Sequence, residues 1–457
     1  MTDHQFDIVV LGGGSGGYAA ALRAAELGKS VALVEKDKVG GTCLHRGCIP
    51  TKALLHAAEV ADVTRDAAAI GIRATLDGID PEGVRAYREG IVAKKFKGLE
   101  GLIKARGITV VAGEGVLEAG PSVRVGDDVY RGADVILATG SYSRSLPGLE
   151  IGGRVLTSEH ALELNEIPQR VVILGGGVIG VEFASVWRSF GVEVTIVEAL
   201  DHLVPNEDVA MSKALERAFR RRGISSSLGV RFAGVTQTSD AVTVTLENGS
   251  TFEAEYLLVA VGRGPATAGL GFEENGVTLD RGFVTTDERL RTSAEHVWAV
   301  GDIVPGLQLA HRGFQQGIFV AEEIAGLRPV LVPDAQIPKV TYSHPEVASV
   351  GLTETQAVEA HGADAVVSYE YNLAGNGKSE IIGTAGLVKV VRAKDGPVLG
   401  VHLVGDRVGE LITEGQLAVG WEAHPEDIAP FIHAHPTQSE ALGEAFLALA
   451  GKPLHTL

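Results

Sequence analysis

Two copies of one short pattern limit what this chain can become. Gly12-Gly13-Gly14-Ser15-Gly16-Gly17 follows an apolar run, Phe6 to Leu11, and precedes an alanine-rich stretch from Tyr18 to Leu27. Val31 to Glu35 comes next and ends in an acid. Strand, GxGxxG, helix, strand and acid follow one another in a dinucleotide-binding unit. The glycines allow a tight turn and let backbone N–H groups approach a pyrophosphate at the helix N-terminus, while the acid accepts from ribose hydroxyls. The order then returns: Arg170 to Leu174, Gly175-Gly176-Gly177-Val178-Ile179-Gly180, a helix from Val181 to Phe190, and Val192 to Glu198. Each acid falls at the same offset from its first glycine, 12 to 35 and 175 to 198. The echo predicts an α/β chain with two separate dinucleotide sites.

The only two cysteines, Cys43 and Cys48, lie in Gly40-Gly41-Thr42-Cys43-Leu44-His45-Arg46-Gly47-Cys48-Ile49-Pro50-Thr51-Lys52. A structural disulfide framework needs more cysteines, and a zinc site needs further ligands close by. The spacing therefore reads as a pair that opens and closes, set against the plainer alternative of two unrelated core thiols. A formal net charge of −18 lacks the basic footprint that nucleic acid or an anionic membrane requires. No apolar run reaches bilayer-spanning length. The N-terminus runs into the first strand without a signal or transit peptide, so a reducing cytoplasm is the expected compartment.

Between the two fingerprints, a helical region runs from Lys52 to about Arg106. Its Lys94-Lys95-Phe96-Lys97 cluster reads as a solvated face rather than an anion patch. Short strands follow from Thr109 to Tyr130, closed by Val135 to Gly140 and the Leu146-Pro147-Gly148 breaker. Tyr256 to Val261 is a buried strand, Val297 to Asp302 a strand that delivers an acid, and His311 to Glu323 a helix. From about Ile337 the texture changes. Leu387 to Val391 and Leu399 to Val404 flank Lys394-Asp395-Gly396, a hairpin signal, and Thr437 to Ala450 has helical spacing. This α+β tail has no fingerprint and is expected to serve as an interface.

Taken together, these motifs resemble those of the dihydrolipoamide dehydrogenases, within the flavin-dependent pyridine nucleotide–disulfide oxidoreductases. The resemblance rests on the Cys43…Lys52 segment, both fingerprints, Ala138-Thr139-Gly140, Gly301-Asp302 and His433-Ala434-His435-Pro436-Thr437…Ser439-Glu440. It spans essentially the whole chain. It implies an FAD-binding segment at 1–146 with a second part at 263–335, an NAD-binding segment at 147–262, and a dimerisation segment at 336–457. It also implies an oxidoreductase that passes electrons from protein-bound dihydrolipoamide through Cys43–Cys48 and FAD to NAD. The lipoyl group would arrive on a subunit of a 2-oxo acid dehydrogenase complex or of the glycine cleavage system. Cys43 would meet substrate and Cys48 the flavin, with Lys52 beside it and paired with Glu182. His435, oriented by Glu440, would be the base, supplied across a homodimer interface.

Flavin contacts implied by the resemblance are Gly12, Gly14, Gly17, Glu35, Lys36, Gly41, Thr42, Lys52, Gly115, Thr139, Gly140, Ser141, Asp302 and the Gln308-Leu309-Ala310-His311 turn. Those to the nicotinamide dinucleotide are Gly175, Gly177, Val178, Ile179, Gly180, Glu182, Glu198, Val230 and Gly262. No metal is implied. Glu198 accepts from a free 2′-hydroxyl and repels a 2′-phosphate, which selects NAD. Four positions depart from the pattern: His45-Arg46 for Asn-Val, Thr51 for Ser, Gln438 for Leu and Ser15 for Pro. His45 and Arg46 add positive charge beside the thiols and either lower the pKa of Cys43 or Cys48 or face solvent with little effect on it. Glutathione reductase, or a reductase of another small disulfide, is the alternative; it would prefer NADPH, against Glu198.

Overall fold

The computed structural model describes residues 2–455. The chain divides into two compact units, one of Met1–Ala53, Glu82–Arg144 and Gly262–Asp334, the other of Leu54–Pro81, Ser145–Val261 and Ala335–Leu457. The second includes residues 54–81, which the sequence pattern keeps inside 1–146.

In the first unit, five parallel strands run in the order Val297–Ala299, Asp134–Leu137, Ile8–Leu11, Val31–Glu35, Thr109–Ala112. Ile8–Leu11 and Val31–Glu35 are near-continuous Ile, Leu and Val because helices cover a parallel sheet on both faces. Helix Ser15–Glu26 starts three residues earlier than the sequence suggests, since its first turn is built from fingerprint residues. It packs against helix Ala310–Ile324 backbone to backbone. A Cβ on Gly16 would lie 3.3 Å from the Gly313 carbonyl oxygen, and one on Gly317 would strike the Gly16 carbonyl. Small residues one turn apart on the later helix make that approach possible. A second, four-stranded sheet joins Asp3–Gln5, Asp128–Arg131, Ser122–Val125 and Gly115–Glu118. The helical region read from Lys52 to Arg106 forms as two helices, Cys48–Asp66 and Pro81–Ala105.

The second unit holds the repeat. Its parallel sheet runs Val155–Leu156, Tyr256–Val259, Arg170–Leu174, Glu193–Glu198, Ser225–Leu228, with helix Val178–Ser189 following the second fingerprint. A five-stranded antiparallel sheet follows in sequence: Lys339–Thr341, Glu346–Gly351, Val398–Gly405, Leu387–Ala393, Val366–Asn372. The hairpin expected around Lys394-Asp395-Gly396 forms, with Asp395 at φ +56°. Val347 and Val404 of this sheet share a buried cluster with Val171, Ile173 and Phe183. Buried Lys389 reinforces the junction, pairing with Asp208 at 2.9 Å and Glu354 at 2.7 Å. A buried ammonium left without its carboxylates would be costly, so these three side chains hold one another in place. Leu54 packs on the same cluster, and Asp62 pairs with Arg222 at 2.8 Å. Those contacts draw 54–81 into the second unit.

Glu346 stands at the start of its strand and accepts from the Gly409 N–H at 2.9 Å. Burial pushes its carboxyl up to about 7, against the Gly409 bond, and the charges of Asp406 and Glu410 push the same way. A folded-state value above the unfolded 4.5 favours the fold below pH 4.5, and that contribution is lost as pH rises through 7. Glu346→Gln is expected to stabilise the protein by about 1–3 kcal/mol at pH 8 and by little at pH 4.5. Urea unfolding at the two pH values checks this, and an equal effect at both would overturn it.

Candidate active site

Each fingerprint forms the same cradle. Gly12 and Gly175 open the turns at φ +103° and +111°, a conformation that side chains rarely adopt. A Cβ on Gly17 would strike the Gly12 carbonyl, and one on Gly180 the Gly175 carbonyl, so these glycines permit helix to meet strand. Gly14 and Gly177 cap the helices in extended backbone, no side chain caps either helix, and a Cβ on either would meet open space. Val178 and Ile179 follow as the first helical residues. The second-strand acids are anchored alike. Glu35 accepts from the Gly13 N–H at 2.7 Å and the Asp37 N–H at 2.9 Å. Glu198 accepts from Gly176 at 2.6 Å and Leu200 at 2.9 Å.

Uncapped helix N-termini with free space before them suit a pyrophosphate, and carboxylates fixed by backbone retain acceptor capacity for ribose hydroxyls. Two dinucleotides therefore fit. Val230 lies beside the second acid, its N–H on the Glu198 carbonyl at 3.3 Å, and Gly262 ends a loop at φ +102°. Gly115 differs from these, since a Cβ there would press on Leu11, Val34 and Val123, which makes it a packing glycine. Lys36 is exposed and pairs with Glu114 at 3.6 Å.

The dithiol segment docks on the first cradle. Gly40 donates to the Gly13 carbonyl at 2.8 Å, and a Cβ on Gly41 would lie 2.7 Å from Gly14 Cα. Gly41, Thr42 and Cys43 open the short helix Gly41–His45, and Cys48 opens helix Cys48–Asp66. Both cysteines are half-buried and unlinked. The Cys43 thiol is pushed well up, first by its hydrogen bond to Cys48, then by burial and the charge on Cys48. Lys52, one turn after Cys48, and a hydrogen bond from Ser15 pull it back down. Each thiol therefore opposes the ionisation of the other.

His45 and Arg46 act elsewhere. Arg46 pairs with Asp37, while His45 donates from Nε2 to the Val39 carbonyl at 2.9 Å and meets Phe96 edge-on at 4.9 Å. Neither is among the groups that set the Cys43 pKa. These contacts tie the inter-cysteine turn to its surroundings. The Lys94, Lys95 and Lys97 side chains around Phe96 are solvated.

Thr139, Gly140 and Ser141 continue past the end of strand Asp134–Leu137. Thr139 donates to the Ala266 carbonyl at 2.6 Å, and Ser141 Oγ donates to Asp302 Oδ2 at 2.5 Å. Arg263, unassigned from sequence, donates to Ser141 Oγ at 2.8 Å and to the Ser141 carbonyl at 2.8 Å. Gln316, also missed, accepts from the Gly301 N–H at 2.8 Å and so holds the turn that presents Asp302. Gln308 donates to the Asp302 carbonyl at 3.3 Å; Leu309 caps helix Ala310–Ile324 through extended backbone, with Ala310 and His311 its first residues. Gly313 and Gly317, small and four apart, were the available sequence signal for this helix's close packing.

In the second unit, Glu182 is buried and accepts from the Tyr342 N–H at 3.0 Å. His435 Nδ1 lies 2.8 Å from Glu440 Oε1, whose other oxygen accepts from the Thr437 N–H at 2.8 Å. Nδ1–H donation to Glu440 leaves Nε2 as a proton acceptor, and the ring is 80% exposed. Despite partial burial, Glu440 is held below its usual range by the Thr437 N–H and by His435. Gln438 donates to the Asp406 carbonyl at 2.9 Å. Among the described residues, no group of three or more His, Cys, Asp or Glu could hold a metal ion, and no helix is long and apolar enough to cross a membrane.

The two kinds of glycine separate in experiment. Gly14→Ala should fold with near-normal stability yet lose FAD loading, whereas Gly17→Ala should cost about 3 kcal/mol or more through its clash with Gly12. Flavin absorbance and urea unfolding read the two effects; equal destabilisation would overturn the distinction. A His45→Asn, Arg46→Val double variant should titrate its thiols as the wild type does, with a lower Tm. A shifted thiol pKa would restore the electrostatic role.

Comparison with known proteins accords with this geometry. Residues 6–317 match the pyridine nucleotide-disulphide oxidoreductase family, and residues 337–446 its dimerisation domain. A dihydrolipoyl dehydrogenase of Bacillus subtilis is 40% identical, covering 99% of each chain. One from Mycobacterium bovis is 40% identical, covering 98% of each. Among solved structures, LpdA of Mycobacterium tuberculosis superposes with a TM-score of 0.90 at 28% identity, covering 98% of this chain and 100% of that one. The chain belongs to the pyridine nucleotide-disulphide oxidoreductases, on the side of the dihydrolipoyl dehydrogenases.

Proposed function

We propose that the protein is a homodimeric dihydrolipoyl dehydrogenase that uses FAD and NAD, oxidising dihydrolipoamide carried by a partner complex. The observation that carries this is the half-buried dithiol docked on the first of two matching dinucleotide cradles. We assign FAD to residues 1–146 and 263–335, NAD to 147–262 and dimerisation to 336–457. Bound FAD supplies the two-electron relay between the dithiol and NAD.

The chain's own residues do the rest. His435 Nε2 takes a proton from dihydrolipoamide, and Glu440 holds the ring and balances the imidazolium. The base comes from the partner subunit; the exposure of His435 supports that assignment. The substrate thiolate attacks Cys43 of the oxidised pair, the Cys43–Cys48 bond breaks, and Cys48 leaves as thiolate. The second substrate thiolate then attacks the first substrate sulfur, closing the lipoamide ring and releasing Cys43. Lys52, one turn after Cys48, steadies the thiolate on Cys48. Glu198 orients the adenine ribose of NAD. A thiol pair that must cycle is suited to a reducing compartment, and we place the protein in the cytoplasm.

Steady-state reduction of NAD and of NADP by dihydrolipoamide tests this reading, with glutathione disulfide plus each reduced nicotinamide as the control. NAD is expected to be favoured by about a hundredfold in kcat/KM, and Glu198→Ala to narrow the gap. Equal use of NADP, or faster turnover of glutathione disulfide, would overturn it.

A further inference from the structure

His435 stands on an exposed turn that is held from beneath. Ala434, His435 and Pro436 are exposed, and Glu440, which bonds His435 through one oxygen, accepts from the Thr437 N–H through the other at 2.8 Å. Thr437 is itself gripped. Its Oγ1 donates to the Ala434 carbonyl at 2.6 Å, and its own carbonyl accepts from Nδ2 of Asn376 at 3.0 Å. Asn376 comes 61 residues earlier in the chain and is 4% exposed. It precedes the short helix Gly377–Ile382, and its Oδ1 accepts from the Ser379 N–H and hydroxyl, both at 2.9 Å. A backbone N–H can only donate, so the Ser379 bond fixes which end of the amide is oxygen and turns the NH2 toward Thr437. Two further contacts hold the ends of the turn: His433 Nε2 lies 2.8 Å from Glu414, and Gln438 donates to the Asp406 carbonyl at 2.9 Å. Of these three anchors, Asn376 is the one bonded to the residue that donates to Glu440.

We propose that Asn376 is a positioning residue for the oxidation of the substrate dithiol: it holds Thr437, Thr437 fixes the Glu440 carboxylate, and Glu440 sets the direction of His435 Nε2. The series of bonds carries no proton; each one sets the geometry of the next. A buried amide suits the task, because with both of its ends satisfied it keeps a single orientation. A small error in the placement of a base is costly to the rate, so a residue that never meets substrate can govern it. The inference rests on the assignment of His435 as the base and adds what holds that base in place.

The test uses flavin-loaded enzyme in anaerobic stopped flow, following flavin reduction by dihydrolipoamide and, separately, by NADH. The first needs the base and the second does not. Asn376→Ser and Asn376→Asp both keep an oxygen to cap Ser379 and lack the donor to Thr437. Each is expected to be reduced about tenfold more slowly by dihydrolipoamide and at the wild-type rate by NADH. In a His435→Gln background, itself slow, Asn376→Ser is expected to add nothing, because the two act as one unit. Unchanged reduction by dihydrolipoamide in both variants overturns the proposal. So does an equal loss in the two half-reactions, which would make Asn376 a general support of the fold. A further tenfold loss in the His435→Gln background overturns it as well, by placing the action of Asn376 outside the base. If His435→Gln alone is reduced by dihydrolipoamide at the wild-type rate, the base assignment itself falls, and the proposal with it.

Discussion

The first unit is organised by backbone meeting backbone where no side chain fits. Gly17 lies against the Gly12 carbonyl, Gly16 against Gly313, Gly317 against Gly16, and Gly41 against Gly14. These approaches bring the N-termini of helices Ser15–Glu26 and Gly41–His45 to one place, with helix Ala310–Ile324 packed on the first of them. Helix N-termini favour negative charge. A pyrophosphate is an anion, and the uncapped N-terminus of helix Ser15–Glu26 suits it. A single methyl group at Gly17 would force strand and helix apart, and the cradle would open with them.

The dithiol depends on that frame for its chemistry. Two thiols sharing one hydrogen bond cannot both ionise readily, because the first charge penalises the second. The Cys43 thiol is raised first by its hydrogen bond to Cys48 and then by burial, and the charge of Lys52 pulls it back down. His435 is prepared in the same spirit. Glu440 receives one bond from the imidazole and one from Thr437, so the carboxylate is anchored before it orients the ring. The exposed face of the imidazole is then available to a partner.

Much of this was legible in the chain. The strand–turn–helix–strand order is local, and its chemistry depends on residues close in sequence, so both fingerprints and the acids Glu35 and Glu198 could be read directly. The hairpin at Asp395 could be read for the same reason. Helix starts were less clear: Ser15 to Gly17 look like loop residues until their backbone is seen to continue into the helix. For Arg46, the charge could be counted from sequence but its partner, Asp37, could not be identified.

By itself, the sequence determined the two fingerprint repeats and the closely spaced cysteine pair, since each depends on residue type at short spacing, whereas His435 and Glu440 stood out only through the family resemblance. Tertiary structure decided which distant groups meet. Leu54 and Asp62 pack with the second unit, while Arg263 and Gln316 hold the Ser141–Asp302 region. Such meetings depend on burial and on the paths of intervening helices, which no short stretch of sequence contains.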